Sequence, residues 1–182
     1  MTPIEADHGH FARERMRRYR GNGAMIVLSH SAGETQADGA NTQRPSDSRA
    51  LVVVVDQVDG HDEARPLRHW PLHSPTGFAY GYGGSGPADL ALAILLDFLE
   101  EWPTEQQMAA GESRAWALHH HFKWEIIARL EPGWELSALD VFDWLQSETA
   151  TMVLNHWEPV MAEIEAEEEA LAKAIAERVR SE

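Results

Sequence analysis

The sequence predicts an α+β fold: a small antiparallel β-sheet in the N-terminal half packed against a C-terminal helical layer. Two observations predict it. Up to about residue 72 the apolar residues fall in short β-branched runs, 25–28 and 51–55, separated by Gly, Asn and Asp turn signals. From Pro87 onward the apolar period lengthens to about 3.6 residues. Strands first and helices afterwards, with no repeat and no β-α-β alternation, is the pattern of a sheet covered by helices on one side.

The elements follow in order. Residues 10–20 form a basic island, readable as a short helix or as an arm ending in a strand, and Arg20, Gly21, Asn22 and Gly23 read as a turn. Residues 25–28 and 51–55 are strands of one hairpin, and 29–49, rich in Ser, Gly, Asn, Asp, Thr and Gln, is the flexible loop between them. Asp59 and Gly60 mark a further turn, and 66–72 supplies a third extended segment, placed at an edge by Pro66 and Pro71. A helix then starts near Pro87 and stops before Pro103, with Leu90, Ala91, Ile94, Leu95, Phe98 and Leu99 as a broad core stripe. Residues 113–129 are a second helix on the recurrence of Trp116, His120, Lys123, Trp124, Ile127 and Leu130, ended by Pro132 and Gly133. Ser137 caps a third helix carrying Val141, Phe142, Trp144 and Leu145. From Thr149 to Arg180 the chain reads as two helices or one kinked at Pro159. Residues 1–148 thus make a single domain, and 149–182 an acidic helical extension.

Composition narrows the function classes. The 182 residues suffice for one core. Without cysteine the chain has no disulfide, thiolate metal site or cysteine nucleophile, which fits the cytoplasm. No signal peptide and no membrane span is expected, since no apolar run approaches the roughly 18 residues a span requires. Thirty acidic against fifteen basic side chains give a net charge of −15, which opposes direct binding to a nucleic-acid backbone. Such a surface either serves solubility or competes for a basic groove on a nucleic-acid-handling partner.

The densest departure from ordinary composition is the segment 73–92, with five glycines, two prolines and the aromatics Phe78, Tyr80 and Tyr82 leading into the apolar helix. Its candidate ligand- or partner-binding residues are His73, Tyr80, Tyr82, Gly83, Gly84, Ser85, Gly86 and Asp89. A glycine loop entering a helix can aim backbone N–H groups at an anion. This one lacks the Lys of a phosphate loop, Pro87 removes a donor, and Asp89 is expected to place a negative charge in the first turn. Ser85 is equally readable as the helix cap, and a nucleophile elbow there lacks its preceding strand. His119, His120 and His121 point about 100° apart on a helix, so at most two could serve one ion, and a structural or solvent role is expected for them. No catalytic residue, metal site or cofactor is assigned. The second candidate surface is the run Glu158, Glu163, Glu165, Glu167, Glu168 and Glu169, either a solvated helix face or a mimic of a line of phosphates that engages a basic protein.

The residues His73 to Phe78 and Gly81 to Ala88, followed by Leu90, Ala91 and Leu92, resemble the signature of a family of small uncharacterised bacterial, plasmid and phage proteins, catalogued as a domain of unknown function. The resemblance takes in about residues 19–140, with Tyr80 and Asp89 standing where relatives more often carry Trp and Gln. It assigns no catalytic residue. Together with the acidity, it implies a non-enzymatic binding protein of a mobile element, inhibiting a nucleic-acid-handling or CRISPR-type defence complex by occupying a basic surface. The expected partner is a basic protein or nucleoprotein complex, with no direct contact to nucleic acid or membrane, and with self-association through a Trp-rich helical face. The alternative is a small-ligand module or enzyme using the loop 81–89.

Overall fold

A computed structural model describes residues 16–21 and 51–180. The expected strand at 25–28, the loop 29–49, Asn22 and Gly23, and the start of the basic island lie outside the described residues. Within them the fold is α+β, as predicted. Strands β1 (Arg18–Gly21), β2 (Val52–Val58), β3 (His61–Pro66) and β4 (Glu135–Ser137) form one sheet in the order β3-β2-β1-β4, every neighbouring pair antiparallel. The basic island therefore ends as a central strand: Tyr19 pairs with Val54 on one side and Leu136 on the other, and Arg20 and Gly21 extend the strand instead of turning.

The hairpin turn is at Asp59 and Gly60, whose φ angles of 50° and 80° fit a tight connection between β2 and β3. It corrects the position of the third strand. The strand runs back directly from the turn as His61–Pro66, and 67–72 leaves the sheet. Residues 61–64 are all exposed, so this edge strand has no apolar alternation to betray it. Backbone pairing from Val58↔His61 to Val53↔Pro66 holds it instead.

Helix α1 (Ser85–Leu99) is the centre of the molecule. It is apolar on every side, and every residue from Gly86 to Leu99 is buried, as expected of a helix covered all round. Leu90, Leu92, Ile94, Leu95 and Leu96 are essentially inaccessible to solvent, each worth about 1.5–3 kcal/mol of burial. The helix ends at Glu100, in the left-handed region at φ 54°, whose N–H returns to the Leu96 carbonyl.

Behind α1 come α2 (Glu105–Ala110), α3 (Arg114–Glu125), a 3₁₀ turn (Ile127–Arg129), α4 (Ala138–Leu145) and α5 (Glu148–Arg180). Ser113 caps α3 by accepting from the Trp116 N–H, and Ser137 with Asp140 forms a capping box on α4. The buried face of α3 is Ala115, Leu118, His119, Phe122 and Lys123, rotated from the expected Trp116–Trp124 stripe, and Trp124 is exposed. Trp134 and Trp144 are core residues, whereas Trp102 and Trp124 face solvent. α5 is one uninterrupted helix containing Pro159, and among its described side chains only Ala150 and Leu154 are fully buried.

Two buried carboxylates interrupt the apolar surface of α1. Asp97 accepts from Tyr19 Oη at 3.1 Å, from Arg65 Nη2 at 2.6 Å and from Arg17 Nη1 at 3.3 Å, tying the helix to the sheet. Asp89, two turns earlier, faces the loop.

Candidate functional site at the sheet–helix junction

Asp89 has no solvent-accessible surface, and each of its carboxylate oxygens accepts twice. Oδ1 takes the backbone N–H of His73 at 2.9 Å and the Nδ1 of the same residue at 2.7 Å. Oδ2 takes the backbone N–H of Ser74 at 2.9 Å and His69 Nε2 at 3.1 Å. This single side chain thereby pins His69, His73 and Ser74 of the loop to the helix. Sequence reasoning placed Asp89 in the first helical turn and let Ser85 cap. In the structure Gly84 occupies the cap position with no side-chain hydrogen bond, Ser85 is the first helical residue and is exposed, and Asp89 lies one turn further in.

The glycines of the loop answer to packing. A Cβ on Gly83 would overlap the Trp124 ring, one on Gly84 the Tyr82 ring, and one on Gly86 would press on Ala79. Gly81, at φ 79°, donates its N–H to the Ile127 carbonyl at 3.0 Å. Tyr80 packs edge-on against Trp134 with ring centroids 5.9 Å apart, and Tyr82 is exposed.

His73 stands at the meeting point of loop and α3. Its ring stacks on Trp116 at 5.9 Å and lies 5.1 Å from the His119 ring and 5.5 Å from that of His120. One ligand-capable nitrogen from each of His73, His119 and His120 lies within 4.8 Å of the others. Asp89 offers His73 only acceptor oxygens, so His73 Nδ1 donates to it, and in the neutral ring Nε2 is the nitrogen with a free lone pair. His119 Nδ1 donates to the Trp116 carbonyl at 2.5 Å, and its Nε2 is buried with no hydrogen-bond partner among the described residues. Burial lowers the His119 pKa to about 4, the Trp116 bond opposing and His120, His73 and Lys123 assisting. His120 is lowered too, by burial first and then by Lys123. Both imidazoles are therefore neutral near pH 7.

Sequence reasoning singled out His73 and Asp89 but missed His69, Trp116, His119 and His120 as their neighbours. A usable signal was present: an aspartate inside the apolar stripe of a core helix must find buried donors, and histidines are the donors the sequence offers nearby. Ser85 is not among the residues around this cluster. The acidic candidates are elsewhere, on α5, where Glu158, Glu163, Glu165, Glu167 and Glu169 are exposed and Glu168 belongs to the same helix.

Fold and site together define an α+β protein whose core helix anchors a glycine-rich loop and a histidine cluster through one buried carboxylate. Residues 41–147 match the model described as Family of unknown function (DUF6166), and the chain belongs to that family. The match covers the loop, β2, β3 and α1 through α4, and ends just before α5. No curated protein and no solved structure matches the chain. No helix among the described residues is long and apolar enough to cross a membrane.

Proposed function

We propose that the protein is a non-enzymatic binding protein that docks the acidic helix α5 onto a basic surface of another protein. The observation that carries this reading is an apolar ladder left exposed among the described residues. Val160, Ile164, Leu171 and Ile175 recur at intervals of four and seven, which places them on one face, and all four are exposed. All four of Glu163, Glu165, Glu167 and Glu169 are exposed; helical spacing sets Glu163 and Glu167 beside the ladder and Glu165 and Glu169 further round the helix. A fully solvated helix would carry no such ladder, and a mimic of phosphates alone would not need one. The matching partner presents an apolar groove rimmed by Lys and Arg, the kind of surface that nucleic-acid-handling proteins use for phosphates.

The test is capture by the full chain from host lysate at low and high salt, repeated with Glu163→Lys/Glu165→Lys/Glu167→Lys and with Ile164→Asp/Leu171→Asp. All five positions are exposed, so the core is untouched. One partner recovered at low salt, released by salt and lost in both variants is the expected result. Retention of that partner by both variants refutes the reading. So does a stable dimer of the isolated chain abolished by Ile164→Asp/Leu171→Asp, which would make a second copy the occupant.

A further inference from the structure

We propose that His73, His119 and His120 form a binding site for a divalent transition-metal ion, zinc being the best-fitting class. The site lies apart from α5 and does not depend on the reading given for that helix. Three imidazoles are the donor set such ions take most readily, and the chain offers them from a rigid helix and a loop pinned to the core. In a tetrahedral zinc site with Zn–N of about 2.0–2.1 Å, ligand nitrogens stand roughly 3.3 Å apart. The nitrogens here lie within 4.8 Å of one another, so ring rotations of modest size bring them to that spacing.

The surroundings of the three rings are what distinguish a site from a chance cluster. A ligating histidine ordinarily donates its other ring N–H to a carboxylate or a backbone carbonyl, which fixes the tautomer and aims the lone pair. His73 does the first through Asp89 and His119 the second through the Trp116 carbonyl. Burying a polar nitrogen without a partner is unfavourable. The His119 Nε2 is in that condition, and a metal ion beside His73 would relieve it. His120 is exposed, which leaves the cluster open to solvent on one side and a fourth coordination position for water or a ligand. Lys123 lies one turn along α3, with its ammonium over the Trp124 ring at 4.6 Å from the centroid.

The experiment uses the untagged full chain, stripped with a chelator and titrated with Zn²⁺ by calorimetry and with Co²⁺ by visible absorption. One ion per chain and a Co²⁺ spectrum of low-coordinate, imidazole-bound type are expected. His120→Ala, at an exposed position, is expected to weaken binding at least tenfold, while the adjacent exposed His121→Ala leaves it unchanged. Asp89→Asn, read by Co²⁺ absorption on protein shown to be folded by circular dichroism, is expected to weaken it 10–100-fold. The proposal is overturned if the stripped chain takes up no ion, if uptake is multiple and weak, or if His120→Ala and His121→Ala behave alike. Because α5 contributes no ligand, partner capture by that helix succeeds or fails independently of these results.

Discussion

Replacing Asp89 tests the claim that one carboxylate holds the loop on the core. Each oxygen serves one backbone N–H and one imidazole: Oδ1 binds the His73 amide and His73 Nδ1, Oδ2 the Ser74 amide and His69 Nε2. An asparagine retains one oxygen. Whichever way its amide is turned, the NH₂ group faces a backbone N–H that can only donate, so one main-chain donor is orphaned in either orientation. The imidazoles are partly accessible, at 23% and 26%, and can turn to water, so the amides dominate the cost. An unsatisfied buried donor costs about 1–3 kcal/mol, so Asp89→Asn is expected to lose about that much and Asp89→Ala, which orphans both amides, about twice as much. Against a typical domain stability of about 5–15 kcal/mol, the alanine variant is seriously weakened. Urea unfolding at pH 7 measures both, through a lowered midpoint at unchanged slope. Equal losses for the two variants, or a loss well below 1 kcal/mol for Asp89→Ala, would refute the two-amide account.

Three further outcomes are expected. Asp97→Asn takes the charge from the acceptor that Arg65 Nη2 meets at 2.6 Å and Arg17 Nη1 at 3.3 Å, while Arg17 keeps Asp56 at 2.6 Å, so urea unfolding should show a loss of about 1–3 kcal/mol, smaller in an Arg65→Met background. Gly21→Ala drives a methyl into the buried Trp134 ring in the central strand and should cost about 1–3 kcal/mol, whereas Gly83→Ala meets Trp124, which is free to swing into solvent, and should cost less than about 1 kcal/mol in the same assay. In the chelator-treated chain, His119 titrates near 6.5 when unfolded and at about 4 when folded, so the unfolded chain takes the proton first as pH falls. Its contribution is complete above pH 6.5, declines between pH 6.5 and 4 by about 3 kcal/mol and is flat below that; subtracting the urea midpoints of His119→Leu across this range isolates it, and identical pH profiles for the two proteins would contradict the burial of this imidazole.

What was legible in the sequence is what short-range chemistry dictates. The valine run of β2, the Asp59–Gly60 turn, the apolar helix after Pro87 and the serine cap at Ser137 each announce themselves locally. β3 does not, because His61, Asp62 and Glu63 are solvated edge residues whose strand is imposed by the partner β2. The buried face of α3 was misplaced for a related reason: aromatic bulk marks Trp116 and Trp124, but close packing against α1 selects Ala115, Leu118 and His119. Of the site, His73 and Asp89 could be named separately. Their convergence with His119 and His120 on α3, 46 residues beyond His73 and 30 beyond Asp89 in the case of His119, is a product of tertiary packing and has no local signature.

The two buried carboxylates of α1 show why one end of that helix is structural and the other is suited to binding. Asp97 is met by Arg17 and Arg65, guanidiniums that stay charged at any accessible pH, and by the Tyr19 hydroxyl, whose ionisation burial and Asp97 itself suppress. That end is a fixed-charge clamp between helix and sheet. Asp89 is met by no fixed cation; its partners are two amides and two imidazoles, groups that donate hydrogen bonds but bring no permanent positive charge. The negative charge it buries is therefore left for whatever the imidazoles hold, and a cation shared by His73, His119 and His120 would supply the counter-charge that Arg17 and Arg65 provide at Asp97. Asp89, His73, His119 and His120 all fall within residues 41–147, the family-matched segment, whereas the acidic ladder of α5 begins beyond it. The two proposed sites therefore lie in different parts of the chain, the histidine cluster inside the family-matched segment and the α5 ladder outside it.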